Sequence, residues 1–100
     1  EGSSIRLDNF QIENNKKSAL LASGNNNYVH TINGVISYNQ IGLNLNNSRA
    51  KVKNTEISNN TFGLYSKNKS NILLEKVSFL DNREKIQNVS NDSTIISKNY

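Results

Sequence analysis

His30 is the only histidine in a chain of 100 residues, set among 12 lysines and arginines and 8 carboxylates. With no cysteine present, thiol nucleophiles, thiolate metal sites and disulfides are excluded. Acid–base work by His30 needs a carboxylate to orient the ring, and glycoside hydrolysis needs two carboxylates held close together. The acids Asp8, Glu13, Glu56, Glu75, Asp81, Glu84 and Asp92 are dispersed instead. Calcium wants several oxygens converging on one point, yet neither a D-x-D spacing nor a Gly-Gly-x-Gly-x-Asp repeat occurs. No catalytic residue, metal site or cofactor is therefore assigned. The positive charges give a net charge of +4 but are scattered, whereas nucleic-acid binders concentrate them on one face with aromatics interleaved. Nucleic acid is not an expected partner.

What must position these side chains is a repeat. Leu7, Thr31, Val52, Leu74 and Ile96 fall in one column at spacings of 24, 21, 22 and 22 residues. Five residues on stand Ile12, Ile36, Ile57 and Phe79; three further on stand Asn15, Asn39, Asn60 and Asn82; four beyond those stand Ala19, Leu43, Leu64 and Ile86. Within each repeat, period-2 alternation recurs three times, as in Ile72/Leu74, Val77/Phe79 and Leu64/Ser66. Asn, Gly and Ser separate the segments, Asn33-Gly34 among them as a turn element. The pattern predicts an all-β solenoid of four coils with three short strands each, plus the start of a fifth at Thr94–Tyr100. Such coils bury their apolar faces only by stacking about 4.8 Å apart. Asparagine suits the corners, because it tolerates left-handed backbone and its amide can link to the amide above and below.

The unit V-x-N-x-x-I-x-N-N-x-x-G-L-Y, intact as Val52–Tyr65, resembles the repeat of right-handed, pectate-lyase-like parallel β-helices. A leucine-rich repeat fits Leu74–Asn82, but it wants an apolar residue two positions after the asparagine, where Lys17 and Glu84 stand in two of four coils. A left-handed β-helix has shorter coils. The resemblance implies an extracellular or cell-surface protein of a class that binds or acts on polysaccharides: lyases, hydrolases, epimerases, tailspikes and adhesins. It does not choose among them. The clustered aspartates and arginine of the lyases have no counterpart at these positions.

Outward positions of the first strand align Arg6, His30 and Lys51 in one column, and Asp8, Ile32, Lys53 and Glu75 in the next. Stacked cations repel one another, so the column Arg6, His30, Lys51 with Lys53 is the candidate ligand site, and an acidic polysaccharide is the candidate ligand. The competing expectation is a solvated face neutralised by Asp8 and Glu75. Tyr28, Tyr38, Tyr65 and Tyr100 are sugar-stacking candidates that more commonly cover strand surface. Five N-x-S/T sequons begin at Asn46, Asn59, Asn68, Asn88 and Asn91 and read as turn composition. Residues 1–100 are expected to be one segment of a longer solenoid, with further coils or a second copy at its unpaired ends. A structural stalk or adhesin, and an enzyme whose catalytic coils lie elsewhere, are the alternatives to a carbohydrate-engaging scaffold. No apolar run is long enough for membrane insertion.

Overall fold

The computed structural model describes residues 4–24, 27–89 and 93–98; Asn91, Asp92 and Tyr100 lie outside the described residues. The described chain forms ten strands in a parallel β-solenoid of four coils and the start of a fifth. One sheet has the path β1 (Ser4–Glu13), β3 (Tyr28–Ser37), β5 (Arg49–Ser58), β7 (Asn71–Glu75) and β10 (Thr94–Lys98), with β8 (Ser78–Leu80) also on β5. The other runs β2 (Ser18–Ser23), β4 (Ile41–Asn46), β6 (Phe62–Lys67) and β9 (Glu84–Asn88). No helix among the described residues is long and apolar enough to cross a membrane.

The first two alternating segments of each coil are not separate strands in coils one to three. They run on as single ten-residue strands, bent at Asn9, Asn33 and Asn54, each left-handed with φ of 56°, 57° and 50°. One left-handed residue redirects a strand without requiring a loop. Asn33-Gly34 is thus a bend inside β3 rather than a turn between strands. Only the fourth coil divides, into β7 and β8 around the left-handed Lys76.

The core follows the alternation. Ala50, Val52, Ile57, Leu64, Ile72 and Leu74 are buried, with Ile36, Leu43 and Leu45 fully enclosed. Each of the valine, leucine and isoleucine side chains contributes about 1.5–3 kcal/mol through burial. Two column members differ from the sequence alignment. Leu20, not Ala19, pairs with Leu43, because the first coil has one more residue between Asn15 and its third strand. Ser97, not Ile96, pairs with Leu74, while Ile96 aligns with Leu73 and is 50% exposed. There Ile95, aligned with Ile72, packs on the core.

The asparagine column forms as a ladder. Asn15 donates from both its backbone N and its Nδ2 to Asn39 Oδ1, at 3.1 and 2.9 Å. Asn39 does the same to Asn60 Oδ1 at 2.9 and 3.1 Å, and Asn60 to Asn82 Oδ1 at 2.9 and 3.0 Å. These residues are not themselves the left-handed ones. That conformation falls on the residue before each: Asn14, Tyr38, Asn59 and Asp81, with φ of 63°, 57°, 55° and 55°. The chain turns at one residue and hydrogen-bonds at the next. A second ladder, of serines, stands at another corner: Ser48 N donates to Ser70 Oγ and Ser70 N to Ser93 Oγ, each at 3.1 Å.

Two outcomes follow for stability. Asn60→Ala removes the acceptor of Asn39 and the amide that reaches Ile36 O at 3.2 Å. With about 1–3 kcal/mol for each buried group left unpaired, it is expected to cost about 3 kcal/mol in denaturant unfolding. Asn15→Ala, on the exposed first rung, should cost about 1 kcal/mol, and equal losses would contradict a ladder that depends on burial. Ile57→Asp, which buries an unpaired charge between coils, is expected to abolish cooperative unfolding as seen by circular dichroism. Exposed Lys53→Asp should leave the midpoint nearly unchanged.

Candidate functional site

Parallel pairing stacks outward side chains as strictly as inward ones, so the outer face of the first sheet is set by register. Arg6, His30, Lys51, Leu73 and Ile96 form one column. Asp8, Ile32, Lys53, Glu75 and Lys98 form the next, and Ser4, Tyr28, Arg49, Asn71 and Thr94 the one on the other flank. All four candidate residues therefore share one face: Arg6, His30 and Lys51 on consecutive strands, with Lys53 two residues along β5 from Lys51.

The register adds Arg49, which lies outside the columns read from residue spacing. Its guanidinium lies over the Tyr28 ring at 5.5 Å from the centroid, and Tyr28 in turn lies 6.1 Å from the His30 ring. The signal available in the sequence was the alternation Arg49, Lys51, Lys53. A groove of about 240 Å³ opens beside these residues, with Tyr28, Arg49, Lys51, Asn71, Leu73 and Ile96 among its walls. The face as a whole carries the cations Arg6, Arg49, Lys51, Lys53 and Lys98 against the carboxylates Asp8 and Glu75.

Only one of those carboxylates makes an ion pair among the described residues, Glu75 with Lys51 Nζ at 3.5 Å. It is partly exposed and stabilises by well under about 1 kcal/mol. His30 is half-buried, and its Nε2 is enclosed without a hydrogen-bond partner among the described residues. Burial lowers its pKa below the ordinary 6.5, and the charges of Arg6, Lys51 and Lys53 push it further in that direction against the smaller opposing effect of Asp8. The imidazole is accordingly neutral at neutral pH. It is neither a freely exposed ring nor one oriented by a carboxylate.

Elsewhere the chemistry stays dispersed. No group of three His, Asp or Glu side chains that could hold a metal occurs among the described residues. Tyr65 makes an edge contact with Phe62 at 5.9 Å on the second sheet, and Tyr38 occupies a left-handed corner, so neither joins the basic face. Among the described tyrosines, Tyr28 alone is brought beside the cations. In the sequons, Ser48 and Ser70 are buried in the serine ladder, so the hydroxyls of those two are committed to the corner.

One comparison with known proteins agrees with this architecture. The family model described as the right-handed β-helix region matches residues 1–100. No curated protein and no solved structure matches the chain.

The lowered His30 pKa has a signed consequence for stability. The unfolded chain takes up the proton first, so stability is undiminished above the ordinary 6.5 and falls as the pH drops toward the folded value. Thermal midpoints measured from about pH 7 to about pH 5 are expected to fall further for the wild type than for His30→Gln. Parallel falls would show that His30 is not strained by its neighbours.

Proposed function

We propose, from the premise that this chain belongs to the right-handed β-helix family, that it is the scaffold and binding face of a secreted or surface-displayed solenoid engaging an acidic polysaccharide. The observation that carries this reading is the in-register stack of Arg6, His30 and Lys51, widened by Arg49 and Lys53 into a face with an excess of positive charge. A parallel solenoid repeats its cations at coil spacing, about 4.8 Å. A polyanion laid along the axis meets several of them at once, and the ordering cost is shared among the contacts. Tyr28, Leu73 and Ile96 line the adjoining groove with apolar and aromatic surface of the kind sugar rings pack against.

A second reading is favoured by the Lys51–Glu75 pair. It takes the face as a solvated flank, partly neutralised, and the chain as a stalk or adhesin solenoid that meets protein partners. Titration with polygalacturonate separates the two. At low salt the wild type is expected to bind, and Arg6→Ala/Lys51→Ala to bind about tenfold more weakly, each exposed contact contributing under about 1 kcal/mol. At moderate salt the difference should shrink, because exposed charges are screened over about 10 Å. Equal affinity of the two proteins at low salt would leave the stalk reading in its place.

A further inference from the structure

We propose that anion binding on the basic face is proton-linked: a polyanion on the ridge draws one proton onto His30, and the face binds polyanions more tightly as pH falls. The inference rests on the reading of this face as an anion-binding surface and adds the group that regulates it. His30 sits on the middle of three strands, with Arg6 beside it on β1 and Lys51 beside it on β5. Its Nε2 has no hydrogen-bond partner among the described residues. The other charges facing it are Asp8 on β1 and Arg49 and Lys53 on β5, while Tyr28 flanks the ring on its own strand. Glu75 on β7 is engaged by Lys51 and so does not serve the imidazole.

In the free protein a proton on His30 would be a third positive charge between two others, opposed chiefly by Asp8. The ring therefore stays neutral. An anionic group placed along Arg6 and Lys51 reverses that balance, because it sits next to the imidazole as well and favours its charged form. Coupling between two binding events is reciprocal, so a ligand that raises proton affinity is itself bound more tightly when the proton is on. The ligand chemistry required is a repeated sulfate or carboxylate. A sulfated polymer is the cleaner probe, since sulfate esters remain ionised throughout the range in which His30 titrates.

Dextran sulfate, with uncharged dextran as control, is titrated at low salt from about pH 8 to about pH 5, where the wild type should gain about tenfold in affinity if binding raises the His30 pKa by about one unit. His30→Gln should show no such gain between the two ends of the range. Because His30 is the only histidine, its ring proton gives a single unambiguous NMR titration. That titration should move to higher pH when dextran sulfate is added and stay put with dextran. Binding with an unchanged His30 titration, or with the same pH dependence in His30→Gln, overturns the linkage alone. Absence of binding at both ends of the range overturns it together with the anion-binding reading.

Discussion

The asparagine ladder is the interaction on which the other features of this chain depend. At each rung one Oδ1 receives both the backbone N–H and the side-chain amide of the asparagine one coil earlier. A buried corner holds polar backbone that water cannot reach, and leaving such groups unpaired costs about 1–3 kcal/mol each. Only a side chain with an acceptor and a donor on one short stem pairs upward and downward at once. The neighbouring residue absorbs the left-handed backbone, so turning and bonding are not demanded of the same position. With that corner fixed in every coil, the strands on either side enter in the same phase.

Phase is what turns a loose repeat into a core. Because strand side chains alternate, a one-residue slip after the corner would exchange the inner and outer sets. The coils differ in length, and the structure takes up the difference where no column is being built. One extra residue of the first coil falls between Asn15 and β2 and the others between β2 and β3, and the fifth coil begins one residue later than even spacing predicts. Close approach adds a second constraint beside the ladder: a Cβ on Gly42 would lie 2.5 Å from the Gly63 carbonyl, and one on Gly63 would lie 2.8 Å from that of Lys85. Glycine at these two positions lets adjacent coils reach ladder distance.

The same register that stacks Ile36 on Ile57 also stacks His30 on Lys51. Outward columns are thus a by-product of inward ones, and like charges brought together there are not relieved by moving apart. The basic face carries that cost in the depressed proton affinity of His30 and in the recruitment of Glu75 by Lys51. The protein's own carboxylates relieve it only in part, through the single Lys51–Glu75 pair among the described residues.

The sequence by itself determined the solenoid, the ladder column and the neighbourhood of Arg6, His30, Lys51 and Lys53. A stacked repeat converts spacing along the chain into position in space, so these were legible from residue numbers. What the tertiary structure decided lies where spacing and position part company. Leu20 displaces Ala19 and Ser97 displaces Ile96, because inserted residues are accommodated by local backbone freedom that a fixed count does not contain. Which corner residue turns left-handed, the fusion of two strands at Asn9, Asn33 and Asn54, and the serine ladder all depend on hydrogen bonds between coils more than 20 residues apart. The placement of Arg49 over Tyr28, and the enclosure of His30 Nε2 without a partner, required the side chains themselves. Columns fix which residues are neighbours, and only packing fixes where their polar atoms point.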